Sequence, residues 1–463
     1  MKLTLEQYHT MIRTKHIGFI GVGVSHRDLI RQYAAAGARL TVRDRRSLEQ
    51  LGDFGQELVR LGVRLCLGQD YLSDITEEVL FRTPGMKYFT PELTEARCRG
   101  VAVTSEMELF FALCPCPIFG ITGSDGKTTS TTLIAEMLRR SGRTVHLGGN
   151  IGTPLLPIID TVRPEDAAVV ELSSFQLISM RQSPDTALIT NVAPNHLDIH
   201  RDMQEYVDAK KNLYLHQDAF SRTVLNFDND ITRSMAEEVR GDLYWFSRRE
   251  TVSRGTYLDP DGVLHHVDET GDVPLFSMKE IRIPGMHNVE NFLGVIAALW
   301  GEVSPEVMET VAKEFGGVEH RIEFVRELNG VRWYNDSIAT NPTRMIAGLN
   351  SFDQKLCIIG GGYDKKIPFE PLADPVAEKV RLLILTGPTA DKIEAAVKGS
   401  RLYDPARCRI LRAKDLPEAV EIARRETVPG DIVSLSPACA SFDAYPNFEA
   451  RGEHYKKLVW ALS

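Results

Sequence analysis

Residues 117–132 read PIFGITGSDGKTTSTT, an apolar run of strand character feeding a glycine-rich turn that delivers Gly126, Lys127, Thr128 and Thr129 to the start of a helix. Strand, glycine loop and helix in this order make a phosphate cradle. Glycines let backbone N–H groups face the anion, and the helix N-terminus adds partial positive charge. Lys127 can reach β- and γ-phosphates, and the Thr128 hydroxyl can ligate Mg²⁺. ATP and Mg²⁺ are therefore the expected ligands, held by Gly123, Ser124, Asp125, Gly126, Lys127, Thr128 and Thr129. The spacing departs from the common P-loop: Ile121 stands where that loop has its first glycine, and the glycines fall at 120 and 123.

Outward from the cradle, short β-branched runs alternate with amphipathic helical stretches, which predicts an α/β chain with mainly parallel sheets. It divides into three blocks. The first has strands near 16–23, 38–44, 63–67, 79–81 and 101–104. A Cys-Pro-Cys-Pro break at 114–117 precedes the second, with strands at the cradle and near 144–147, 168–172, 187–191 and 223–226, then a β-rich stretch over 243–283. Helical signal returns at 288–300, and Gly316-Gly317 offers a hinge into the third block, with strands near 322–335, 355–359, 381–386 and 431–435. The expected domains are 1–115, 116–317 and 318–463.

With 463 residues and 43% hydrophobic content, the chain can bury several cores. The net charge of −9 is dispersed with no basic run, which disfavours nucleic acid and anionic membrane as partners. No apolar leader and no long uncharged apolar stretch is present, so membrane insertion is not expected and a cytoplasmic enzyme is. Seven scattered cysteines suit reduced thiols, and the Cys114/Cys116 pair lacks a second pair at zinc-like spacing.

The first block opens with GFIGVGVSHRDLI, and Asp44 ends the next strand, superficially a dinucleotide fingerprint. His26 replaces its third glycine, which counts against an NAD-linked dehydrogenase. A nucleotide diphosphate over the turn at Gly21, Gly23 and Ser25 remains reasonable, with Asp44 or Arg46 at base or ribose and Thr83 of Thr83-Pro84-Gly85 touching the same ligand.

Further motifs follow in one order: GGNIG with Asn150, VVELSSFQL with Glu171, NVAPNHLDIH with His196, GMHNVEN, EHR, NDSIATNP, IIGGGYDKK and SPACASFDAYPNFEARG. Through them nearly the whole chain resembles the Mur ligase family, and the cradle's spacing is similar to that of ATP-dependent amide-bond ligases. The resemblance implies a Rossmann-like UDP-binding domain, a central P-loop ATPase-like domain with extra strands, and a Rossmann-like C-terminal domain. It implies an ATP-dependent carboxylate–amine ligase of peptidoglycan precursor synthesis, joining UDP-N-acetylmuramoyl-L-alanine to D-glutamate through an acyl phosphate. A monomer is expected.

By the same resemblance, Lys127, Glu171, His196 and Lys210 are catalytic, and Thr128, Glu171, His196 and Lys210, as a CO₂-derived carbamate, surround Mg²⁺. Asn288, Asn291, Arg321 and Asp336 complete the ATP site, and Asn150 contacts the acyl donor. Thr340, Lys365, Ser441 and Phe448 hold D-glutamate, while Ile338 departs from the lysine many such ligases carry. Two of these positions also have arguments of their own. Glu171 ends a buried-strand pattern, where a carboxylate needs a cation. Lys210 lies on the inward stripe of Met203, Tyr206, Val207, Leu213 and Tyr214, with Lys211 one step round. A buried lysine beside metal would be driven neutral and open to CO₂, though a snorkelling lysine is the plain alternative. Another Mur-type or folylpolyglutamate-type ligase, and a nucleotide-binding scaffold without catalysis, are the competing readings.

Overall fold

The computed structural model describes residues 3–194 and 199–463 and contains three sheets. In the first, β1 (His16–Ile20), β2 (Arg39–Asp44), β3 (Arg64–Leu67), β4 (Val79–Arg82) and β5 (Ala102–Thr104) run parallel in the order β3-β2-β1-β4-β5. The order reverses beside β1, so the connections leaving the carboxyl ends of the paired strands β1 and β4 run in opposite directions and leave the crevice where open α/β sheets bind ligands. Phe19 and Phe81 stack there at 4.8 Å, filling the layer beneath. Arg43 and Glu77 form a fully buried pair at 2.9 Å, and the guanidinium also takes the carbonyls of Tyr71, Ser73 and Asp74, which fixes the segment leading into β4.

The second sheet holds β6 (Ile118–Thr122), β7 (Val145–Gly149), β8 (Ala167–Glu171), β9 (Thr186–Ile189), β10 (Arg222–Asn226), β11 (Asp242–Ser247), β12 (Gly255–Leu258), β13 (Val263–Asp268) and β14 (Gly271–Ser277). Their order is β14-β13-β12-β11-β10-β9-β6-β8-β7, parallel from β7 to β12 and antiparallel beyond. β6 and β8, central and covered on both faces, are wholly buried and read as apolar runs up to their last residues, Thr122 and Glu171. Helix Lys127–Arg140 leaves the end of β6 and packs along β8.

The third sheet has the order β15-β16-β20-β17-β18-β19, built from β15 (Glu323–Leu328), β16 (Val331–Asn335), β17 (Leu356–Gly360), β18 (Val380–Leu385), β19 (Arg409–Arg412) and β20 (Ile432–Leu435). Alternation places Leu356 and Ile358 in one core and Cys357 and Ile359 in the other, so both faces are covered. The stretch expected as one strand over 322–335 is instead a hairpin, turned by Asn329 (φ 51°) and Gly330 (φ 75°). Both left-handed residues suit the tight turn that Asn-Gly favours.

The chain forms two compact units, residues 1–278 with 290–311, and residues 279–289 with 312–463. The first contains the first two sheets, and the second the third. No helix among the described residues is long and apolar enough to cross a membrane.

Candidate functional site

The loop between β6 and its helix is built as the sequence predicts. Gly126, left-handed at φ 78°, caps the helix, and a Cβ there would strike the amide oxygen of Asn291; one at Gly123 would strike the Thr190 hydroxyl. Only glycine fits either place. The neighbouring strand end holds the loop open: Ser124 N–H donates to Asn191 O at 2.9 Å, Asp125 N–H to Asn191 Oδ1 at 3.1 Å, and Thr190 Oγ1 to Asp125 O at 2.5 Å. Lys127 Nζ donates to the carbonyls of Gly123 (2.9 Å) and Ser124 (2.8 Å), so its charge lies over the loop. Thr128 is half-buried one residue on, and Thr129 is buried.

Lys210 reaches the same loop from helix Met203–Lys211. It is buried, its Nζ donates to Gly123 O (2.7 Å) and Thr122 Oγ1 (3.2 Å), and it lies 4.7 Å from the Tyr206 ring centroid. Desolvation first, and repulsion from Lys127 second, drive its pKa well below the ordinary lysine value. Lys211 points elsewhere and pairs with Glu238 at 2.8 Å in partial solvent. Glu171 ends β8, 1% exposed; its Oε1 accepts from Asn150 Nδ2 at 2.7 Å, and its Oε2 is buried with no hydrogen-bond partner among the described residues. A buried carboxylate oxygen in that state is the donor a divalent cation needs, so the residues fit Mg²⁺. His196, with Asn195 before it, lies outside the described residues.

At the first sheet, Gly21 (φ 76°) packs against Thr83 and Gly23 precedes the helix Val24–Ala35, with Ser25 in its first turn. Asp44 is buried and already engaged, accepting from Val22 N–H (3.1 Å) and from Arg46 Nη2 (2.7 Å). Burial raises its pKa, but these bonds outweigh it and hold the carboxyl below its usual range. Asp44 thus supports the Gly21–Gly23 turn from below, and the 40% exposed Arg46 is the member of the pair open to a ligand.

Asn291 belongs to the first unit and lies against Gly126 and Ser130. Asn288 belongs to the second, where its side chain donates to Pro284 O at 2.6 Å. In the second unit, Arg321 sits between two left-handed residues, His320 (φ 62°) and Ile322 (φ 45°), a rare state for a β-branched residue. Asp336 is buried beneath this turn, accepting from Ile322 N–H (3.3 Å) and Ser436 Oγ (2.9 Å). Burial pushes its pKa up to about 7. Thr340 is half-buried, Lys365 exposed and Ser441 buried, and Phe448 opens the helix Phe448–Ala461 with its carbonyl taken by Ser337 Oγ at 2.8 Å.

Two further residues were not picked out by sequence reasoning. His200, within the motif NVAPNHLDIH, is buried, bonds Ser174 Oγ at 2.8 Å and stacks on Phe175 at 5.0 Å. Arg451, within NFEARG, is buried and donates to Ser337 O, Cys439 O and Ala440 O, tying together the segments that carry Thr340 and Ser441. Its signal was helical spacing: it falls one turn after Phe448 and one before Tyr455 on the buried face.

Residues 121–299 match the Mur ligase middle domain, and residues 320–439 the Mur ligase, glutamate ligase domain. At full length the chain is 48% identical over 462 residues to a UDP-N-acetylmuramoylalanine--D-glutamate ligase of Acetivibrio thermocellus, covering 99% of each chain. It is 45% identical over 460 residues to the protein of the same name from Clostridium kluyveri, again over 99% of each. Among solved structures, a UDP-N-acetylmuramate-alanine ligase from Thermotoga maritima superposes with a TM-score of 0.56 at 16% identity, over 96% of this chain and 99% of that one. MurF from Acinetobacter baumannii does so with 0.57 at 17%, over 77% and 82%. At such identities the structures speak for the fold alone.

Proposed function

The chain belongs to the Mur ligase family, and on that premise we propose that it is the ATP-dependent ligase that joins D-glutamate to UDP-N-acetylmuramoyl-L-alanine in peptidoglycan precursor synthesis. The observation that carries this reading is identity of 45–48% along the whole chain with relatives bearing that activity in their names.

The residues account for the chemistry. A carboxylate oxygen of the acyl donor attacks the γ-phosphorus and ADP departs; the amine nitrogen then attacks the acyl carbon, phosphate leaves and the amine gives up a proton. The first step needs positive charge where phosphoryl charge develops, and the second needs the amine held against the activated carbon. Lys127 would exchange its two loop carbonyls for phosphate oxygens, with the N–H groups of residues 123–129 completing the cradle. Thr128, Glu171 and, from the sequence, His196 would hold Mg²⁺, which when bound neutralises phosphate charge. Lys210, whose ammonium form burial and Lys127 disfavour, would give up that proton, add CO₂ at the neutral Nζ and release a second proton, leaving an anionic ligand in place of a repelled cation. Asn288, Asn291, Arg321 and Asp336 would serve the ATP site, the last by fixing the 320–322 turn. Gly23, Ser25, Arg46, Thr83 and Asn150 would receive the UDP-sugar, and Thr340, Lys365, Ser441 and Phe448 the D-glutamate. The segments 1–115, 116–317 and 318–463 would act respectively as donor, ATP and amino-acid domains.

The test is ADP release with ATP, Mg²⁺ and UDP-N-acetylmuramoyl-L-alanine, offering each enantiomer of glutamate, L-alanine and a diamino acid in turn. D-glutamate alone should turn over; comparable turnover with any other sinks the substrate assignment.

A further inference from the structure

His26 breaks the glycine pattern of the first turn, and its surroundings suit it to a role of its own. The residue is 1% exposed, its ring packed edge-on against Phe19 at 5.2 Å and Phe81 at 6.4 Å. Nδ1 lies 2.7 Å from the Gly21 carbonyl. A carbonyl only accepts, so Nδ1 carries the proton and Nε2 is left as a bare acceptor. Burial drives the pKa down to about 4, against the pull of the Gly21 bond, so the ring is neutral at physiological pH. Nε2 is buried and has no partner among the described residues. His26 lines a cavity of about 350 Å³ together with Ser25, Arg82, Asn150 and Gln176. Glu106 also borders it, but its Oε1 already accepts from the N–H groups of Leu155 (2.9 Å) and Leu156 (2.8 Å). A buried acceptor without a donor is costly, and native sites rarely leave one unless a ligand or water supplies the missing hydrogen.

The geometry points to His26 Nε2 as a recognition group for the acyl donor, accepting a hydrogen bond from a neutral N–H or O–H of the UDP-sugar. The inference rests on reading this cavity as the donor's cleft. It makes the position a selectivity element, because a neutral acceptor rejects a ligand that lacks the matching donor, whether the uracil imide or a group of the amino sugar.

Two substitutions separate recognition from loop anchoring. His26→Gln places an acceptor oxygen where Nε2 was and gives up the Gly21 bond; His26→Asn keeps a donor for Gly21 and gives up the distal acceptor. Titration calorimetry with UDP and with UDP-N-acetylmuramoyl-L-alanine should show His26→Asn weakened about tenfold and His26→Gln within about threefold of wild type. A loss shared by both ligands places the donor group in the uridine, and a loss confined to the full substrate places it in the amino sugar. The reverse order of the variants, or two variants equal to wild type, overturns the inference. If both are weak, ¹⁵N-histidine spectra of the wild-type protein decide: the Nε2 resonance should move upfield on adding UDP-N-acetylmuramoyl-L-alanine, and a resonance that stays put overturns it. Wild type binding neither ligand would instead remove the donor-cleft reading itself.

Discussion

Lys210 occupies a place where an ordinary ammonium is costly, walled by β6 and helix Met203–Lys211 and repelled by Lys127. Its depressed pKa has a sign that can be checked. Between the folded value and 10.5 the unfolded chain holds a proton that the folded one lacks, so stability rises with pH through that window and the cost is fully felt below it. Lys210→Met should therefore raise the melting temperature at neutral pH and flatten its rise towards alkaline pH, while lowering kcat by about 10²–10³. Lys210→Ala should be equally inactive, with partial rescue by a short-chain carboxylate or bicarbonate, whereas Lys211→Ala forfeits a half-exposed pair and should change stability by less than about 1 kcal/mol. Alike behaviour of the 210 and 211 variants would falsify the assignment. Lys127→Ala should cost about 10²–10⁴ in kcat with the fold intact, read as ADP release alongside an unchanged circular dichroism spectrum. At this scale the placement of two candidate residues was legible, because a helical stripe separates Lys210 from Lys211 and a motif marks Lys127. His200 and Arg451 were not, since each stands in a recognisable motif but acts through partners distant in sequence: Ser174 for one, Ser337 and Cys439 for the other.

Among the elements, the 320–322 turn holds two left-handed non-glycine residues, one of them β-branched, and Asp336 sits under it. A carboxyl raised to about 7 holds a proton in the folded state that an unfolded aspartate loses near 3.8, so this group lowers stability as pH climbs from about 4 to 7. Asp336→Asn keeps a neutral side chain at every pH. The stability of wild type relative to this variant should fall across that window by a few kcal/mol at most and level off above it, read as a falling difference in melting temperature; a difference independent of pH would show the carboxyl ionised throughout. The cradle element was readable because strand, glycine and helix signals adjoin, and Gly126→Ala, strained by the left-handed φ and crowding the Asn291 amide, should weaken ATP binding, measured by nucleotide titration. The hairpin at Asn329-Gly330 was readable too, for Asn-Gly between apolar runs is a strong turn signal, but one strand was expected across it. The strand Arg409–Arg412 was missed for a different reason: it is four residues long, has an arginine at each end and lies on the sheet's edge, so it carries no buried pattern.

Taken as a whole, the molecule places its proposed roles in different parts of the chain. Lys127, Glu171 and Lys210 belong to the first unit, and Thr340, Lys365, Ser441 and Phe448 to the second. The parallel cores were legible from apolar runs, while the division into units was not, because residues 279–289 join the second unit although their neighbours on both sides lie in the first. A sequence read in order cannot foresee such an excursion. The separation of roles has a kinetic consequence. Phosphorylating the acyl donor needs no amino acid, so damage confined to the D-glutamate contacts should leave that half-reaction alone. D-Glutamate brings two carboxylates, each costly to desolvate without a charged or hydrogen-bonding partner, and with Ile338 in place of a lysine the exposed Lys365 is the principal cation assigned to it. Lys365→Ala should raise the KM for D-glutamate at least about tenfold, roughly 1.4 kcal/mol, and leave the KM for ATP unchanged. With D-glutamate omitted and hydroxylamine added to trap the acyl phosphate, this variant should form hydroxamate from ATP and UDP-N-acetylmuramoyl-L-alanine at the wild-type rate, and Lys127→Ala should form almost none. Hydroxamate formation slowed equally in both variants would mean that Lys365 serves activation itself, and the amino-acid site would have to be sought elsewhere.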